Sequence, residues 1–273
     1  MPTVFDEFPP EVPDQPELVS MTREGALVTL RIERPEVMNC LSFPTLRRFR
    51  GLLEEVAKDL SIRCVLITGA GEKAFCAGAD LKERRTMDPD LVPLFVGNIR
   101  ALMDDVERLP QPTIAVVNGF AFGGGTELML ACDLRVAAEE ARFGLTEVTL
   151  AIIPGAGGTQ RLPRLVGKSR AKDLILTGRK LDAAEALHMG LVNRCVPRAE
   201  LSKHAADLAA EIASNGPVAV RAAKQAIDRG GDAPMPRGLE IEAECYGLVL
   251  PTQDRLEALA AFAEKRRPEF QGR

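Results

Sequence analysis

Thr113-Ile114-Ala115-Val116-Val117-Asn118-Gly119-Phe120-Ala121-Phe122-Gly123-Gly124-Gly125-Thr126-Glu127-Leu128-Met129-Leu130 holds the fold in miniature. Residues 113–118 have the composition of a buried strand. Three glycines come next, which permit tight backbone curvature and a close approach of a ligand to the chain. The apolar run to Cys132 then reads as a helix entered directly from that turn. The first amides of such a helix lack internal partners, and its dipole favours negative charge there.

The same alternation continues on both sides. Residues 18–23 and 26–33 alternate apolar and polar around Glu24-Gly25 and predict a β-hairpin. Leu46, Phe49, Leu52, Leu53 and Val56 fall at helical spacing in 43–58, and 64–68 read as a buried strand. A helix is expected over 89–108 and a strand over 134–137. Strands alternating with helices argue an α/β class with mostly parallel strands. Beyond about residue 168 the strand signal fades, and helices are expected at 199–215, 217–229, 236–248 and 253–266. The chain accordingly divides into three parts. Residues 1–16, with five prolines, form a loosely attached lead-in. An α/β core spans 17–197, and 198–273 form a helical module not expected to fold alone.

Composition narrows the function. A chain of 273 residues with 46% apolar content can bury a substantial core. A net charge of −4 gives no overall basic field, which argues against bulk attraction to nucleic acid or a membrane. No Trp and a single Tyr leave little aromatic surface for stacking bases. The six cysteines show no CxxC spacing and sit in apolar company, so they read as reduced core thiols rather than a disulfide frame or zinc site. His188 and His204 lie in helical sequence, and neither a metal nor a Ser-His mechanism has support. No basic segment leading into an apolar stretch opens the chain, and no run of eighteen apolar residues occurs. A soluble, cytoplasmic protein is expected.

Two carboxylates stand in glycine-rich surroundings. Glu127 ends the opening stretch, and Glu147 lies in Phe143-Gly144-Leu145-Thr146-Glu147, ahead of Pro154-Gly155-Ala156-Gly157-Gly158-Thr159-Gln160. A third small-residue segment, Ala74-Phe75-Cys76-Ala77-Gly78-Ala79-Asp80, also comes after a buried strand. Bare amides beside paired acids suit chemistry on a carbonyl compound, as oxyanion donors and as groups that move protons. Taken singly, each segment reads as well as a packing turn, with Glu127 merely favourable in a first helical turn. Residues 154–160 lack the Gly-Lys-Ser/Thr ending of a P-loop and the dinucleotide fingerprint, and read as a turn into a helix.

In order and spacing, the three segments resemble the crotonase, or enoyl-CoA hydratase/isomerase, superfamily over roughly residues 17–271. The resemblance implies a spiral of ββα turns with a C-terminal helical module, assembled as homotrimers or homohexamers. It implies an enzyme that adds water across the 2,3 double bond of an enoyl-CoA thioester. No cofactor would be bound, and coenzyme A would enter as part of the acyl-CoA substrate. By the same resemblance, the amides of Ala79 and Gly124 form the oxyanion hole. Glu127 and Glu147 hold the water, with Glu147 as proton donor at C2. Ala77 lines the adenine pocket, Lys82 contacts phosphate, and Phe262 and Lys265 reach CoA, often from a neighbouring subunit. Gly144-Leu145-Thr146-Glu147, Ala151-Ile152-Ile153-Pro154 and Pro251-Thr252-Gln253-Asp254-Arg255-Leu256-Glu257 look like the 3-methylglutaconyl-CoA hydratase branch. That branch belongs to leucine degradation, and its animal form also binds AU-rich RNA. An isomerase or another acyl-CoA lyase is the alternative within the superfamily, and RNA binding the alternative outside it. The lysine-rich helix tied to RNA binding is not reproduced in 43–58, where Arg47, Arg48, Arg50 and Lys58 are offset by Glu54, Glu55 and Asp59.

Overall fold

A computed structural model describes residues 8–9 and 11–273. The hairpin is β1 (Val19–Glu24) and β2 (Leu27–Ile32), closed by pairing of Glu24 with Leu27. Helix α1 (Phe43–Lys58) comes after it, its first turn capped by the Ser42 hydroxyl accepting from the Thr45 amide. Next come β3 (Cys64–Gly69), β4 (Ala74–Cys76), α2 (Leu81–Thr86) and α3 (Val92–Glu107). The opening stretch forms β5 (Thr113–Val117), β6 (Phe120–Phe122) and α4 (Gly124–Ala131). Beyond it lie β7 (Leu134–Ala138), β8 (Arg142–Gly144), α5 (Gly158–Val166), α6 (Lys168–Thr177), β9 (Leu181–Asp182), α7 (Ala183–His188) and β10 (Arg194–Val196). Four helices finish the chain: α8 (Leu201–Ala213), α9 (Pro217–Gly230), α10 (Met235–Val249) and α11 (Gln253–Glu264).

The strands sort into two sheets. Six form one sheet in the order β1-β2-β3-β5-β7-β10, parallel from β2 onward. The expected α/β class with mostly parallel strands is therefore what the chain adopts. The smaller sheet, β4-β6-β8-β9, is built from strands of two or three residues. Each turn of the chain gives one strand to the large sheet and the next to the small one, as in β3-β4, β5-β6 and β7-β8. Such short strands carry no readable periodicity. Two further strands, β9 and β10, fall beyond residue 168, where the strand signal in the sequence fades.

Burial on both faces of the large sheet explains its apolar strands. One face packs into the main core around Phe49, Phe75, Phe95 and Phe143. The other is covered by α8 through Leu201, Ala205, Leu208 and Ala209. Helices α9 and α10 pair with each other around Ala222, Ile241 and Cys245, and α9 is tied to the body by an ion pair from Lys224 to Asp133 at 2.8 Å. Of the expected lead-in, residues 1–7 and 10 lie outside the described residues. Phe8 and Val12 pack against the core, with the Phe8 ring edge-on to Phe43. Gly125 lets α4 start close against β4, because a β-carbon there would stand 1.8 Å from the Cys76 carbonyl oxygen.

All six cysteines are free. Burial pushes the Cys64, Cys76 and Cys132 thiols up to about 12, and that of Cys40 to about 11. Cys195 is also raised, first by burial and then by nearby acids. Among the described residues, no helix is long and apolar enough to cross a membrane, and no cluster of metal-ligating side chains occurs.

Candidate active site

Strands β4, β6 and β8 run side by side in the same direction, so their C-terminal ends open together. Ligands in α/β sheets gather at such ends. Each strand leads directly into one of the segments singled out in the sequence: β4 into Ala77–Asp80, β6 into Gly123 and Gly124, and β8 into the stretch that carries Glu147. Ala79, Gly124, Glu127 and Glu147 all line one cavity of about 1060 Å³.

The first segment is pinned on either side of Ala79. The Ala77 amide donates to Met38 O, Leu41 donates to Gly78 O, and Asp80 donates back to Leu41 O. Asp80 also caps α2 and pairs with Arg34 at 2.9 Å. Between these ties, the Ala79 amide has no acceptor among the described residues, and neither has that of Gly124 at the helix start. The two backbones touch: a β-carbon on Gly124 would lie 3.7 Å from the Ala79 nitrogen. Two free amides that close can share one oxygen ligand. The buried Thr126 hydroxyl fixes the floor beneath, bridging Ala121 O at 2.6 Å and Gly144 O at 3.0 Å.

Glu127 and Glu147 share the cavity but differ in surroundings. Glu127 lies in the first turn of α4 and is 3% exposed. Its Oε1 accepts from the amides of Ala156 and Gly158, each at 2.8 Å. Burial raises its carboxyl, while those two amides and then Arg161 and Arg100 pull it back, leaving a net rise. Glu147 opens a short 3-10 turn, Glu147–Leu150. Its Oε2 is buried with no hydrogen-bond partner among the described residues. Burial, with a smaller contribution from the charge on Glu127, pushes its carboxyl up to about 7. Two amide donors favour the anion at Glu127; an orphaned oxygen favours the proton at Glu147. The pair thus suits one base and one acid, titrating together.

The remaining expected residues are not brought to this cavity within one chain. Ala77 is half-buried beside it, its amide spent on Met38. Lys82 is exposed in the first turn of α2. Phe262 is 85% exposed on α11, and Lys265 ends that helix in the left-handed conformation with φ 56°. Neither lies on the cavity wall.

Other contributors were not evident from the sequence. Residues 154–160 do turn into a helix, α5, and they also supply the two amides that hold Glu127. Arg161 locks that loop, donating to Ala156 O at 3.0 Å while binding Asp104 at 3.0 Å and Glu107 at 2.6 Å. The run Gly155-Ala156-Gly157-Gly158 was the available signal, but main-chain donors leave no side-chain signature.

Known proteins match nearly the whole chain. Residues 22–273 match the family model described as enoyl-CoA hydratase/isomerase. The probable enoyl-CoA hydratase 2, mitochondrial, of Arabidopsis thaliana is 49% identical over 261 residues, covering 94% of this chain and 87% of that protein. The human methylglutaconyl-CoA hydratase, mitochondrial, is 46% identical over 250 residues, covering 90% and 74%. A crystal structure of an enoyl-CoA hydratase from Bacillus anthracis superposes with a TM-score of 0.93 at 51% identity, covering 94% of this chain and 100% of that one.

Proposed function

Because this chain belongs to the enoyl-CoA hydratase/isomerase family, we propose that its cavity adds water across the 2,3 double bond of an enoyl-CoA thioester. The observation that carries this reading is the asymmetric acid pair: Glu127 held by two amides, facing Glu147 with an unpartnered buried oxygen. The thioester oxygen takes the amides of Ala79 and Gly124, where negative charge develops as the enolate forms. Removing one such donor typically costs about 3–4 kcal/mol of transition-state stabilisation. Water sits between the acids. Glu127 takes its proton as the oxygen bonds to C3, the π electrons move to the thioester oxygen, and Glu147 delivers a proton to C2.

The acyl group is read more narrowly as 3-methylglutaconyl, a leucine-degradation intermediate, on the Gly144-Leu145-Thr146-Glu147 form of the acid segment and the likeness to a methylglutaconyl-CoA hydratase. Hydration rates with crotonyl-CoA and 3-methylglutaconyl-CoA test both levels. Turnover of neither thioester overturns the hydratase reading, and a preference for crotonyl-CoA by orders of magnitude overturns the narrower one. Ala77 and Lys82 are assigned to CoA, as are Phe262 and Lys265 reaching it from a neighbouring subunit of a trimer or pair of trimers. We place the protein in the cytoplasm, whereas the plant and human relatives are named as mitochondrial; fractionation of its native cells distinguishes the two. RNA binding gains no support from α1, whose cations are engaged: Lys58 pairs with Glu54 and Arg50 with Asp105, each at 2.6 Å.

A further inference from the structure

The wall of the cavity formed by α3 changes character along its length. Phe95, Val96 and Ile99 present an apolar surface, Arg100 comes next, and Asp104 and Glu107 lie one and two turns later. Both of those acids are taken by Arg161. Arg164, further round the cavity, is taken by Asp232 at 2.9 Å. Arg100 has no ion-pair partner among the described residues. Its Nε and Nη2 converge on a single acceptor, Gly155 O, at 3.1 and 3.0 Å. A guanidinium has five N–H donors, so three remain.

The position of that spare charge matters. Gly155 immediately precedes Ala156, whose amide binds Glu127. The guanidinium therefore holds the carbonyl of the same peptide whose amide donates to Glu127. An acyl chain running past C3 along the apolar face of α3 meets Arg100 next. A methyl or alkyl end gives the fork nothing to bind, whereas a carboxylate fits it in planar, charge-assisted geometry. Arg84, on the wall beside Ala79, is a second cation without an ion-pair partner among the described residues.

We propose that Arg100 is a specificity determinant that selects enoyl-CoA thioesters whose acyl group ends in a carboxylate. The assignment rests on the hydratase reading of the cavity. A purely structural role, in which Arg100 only steadies the 155–158 loop under Glu127, makes a different prediction: neutral and carboxylated substrates would suffer alike.

The experiment compares kcat/KM for 3-methylglutaconyl-CoA and crotonyl-CoA in the wild type, Arg100→Met and Arg100→Lys. The expected result is a fall of at least about tenfold in the ratio of the two constants for Arg100→Met, the scale of a lost charged hydrogen bond. Arg100→Lys recovers part of it, having charge without the fork. An unchanged ratio, or equal losses on both thioesters, overturns the assignment while leaving hydration of crotonyl-CoA to support the hydratase reading. A wild-type chain that hydrates neither thioester overturns that reading, and the assignment with it.

Discussion

The cavity and the last three helices are opposite cases of how much one chain can finish alone. In the main core four phenylalanines are sealed, and at the cavity Glu127 is buried, Glu147 half-buried, and the amides that hold Glu127 come from the same chain. On α10 and α11, Met235 is 74% exposed, Tyr246 65% and Phe262 85%. Contact with a neighbouring subunit, as proposed above, would cover such apolar surface. The candidate site is thus built from local strand ends, while the C-terminal helices carry large apolar side chains on their outside. A change near the acids should be read in rate, and a change on the outer helices in assembly or affinity.

Substituting the acids probes that contrast most sharply. Glu127→Gln and Glu147→Gln should each lower the hydration of crotonyl-CoA by about 10³- to 10⁴-fold, the upper range for general acid–base groups. Retention of near-full activity by both variants in initial-rate assays would break the two-carboxylate mechanism. Truncation of aromatic residues compares the regions in stability. Phe143→Ala, in the sealed core, should cost about 3–5 kcal/mol in denaturant unfolding. Phe262→Ala should cost less than about 0.5 kcal/mol in the same measurement. Equal losses from the two would erase the difference between finished and unfinished regions.

The pH dependence has its sign fixed by burial. Glu147 rises from 4.5 to about 7 on folding, so between those values the folded chain holds the proton more tightly than the unfolded one. Its contribution to stability is greatest below 4.5 and declines as pH rises through 7, by less than about 1.4 kcal/mol per pH unit. Glu147→Gln should flatten that part of the stability profile. With Glu147 as the acid, kcat should also fall above pH 7. A rate that climbs steadily through pH 8 would reverse the roles of the two carboxylates.

Much of this was legible in the sequence, for physical reasons. The large sheet announces itself because β3 and β5 are buried on both faces and so read as unbroken apolar runs. Glu127 and Glu147 stand out because each sits beside glycines whose freedom the backbone uses. The small sheet does not announce itself. Strands of three residues give period-two patterning no room, yet β4, β6 and β8 are what bring the acids and amides together. The support of Glu127 by Ala156 and Gly158 was also hidden, since main-chain donors look the same whatever the side chain. Arg100 and Arg161 carry no signature in the sequence; the ion pairs of Arg161 with Asp104 and Glu107 are what distinguish them.

The buried thiols have a practical consequence. With burial holding the Cys40, Cys64, Cys76 and Cys132 thiols well above their ordinary range, each stays in the thiol form at pH 7. Alkylating and maleimide reagents attack the thiolate, so these four positions are nearly silent toward them. A cysteine placed on the exposed face of α11 would therefore outcompete these four, giving a site for a fluorophore or spin label that reports on that face without first replacing them.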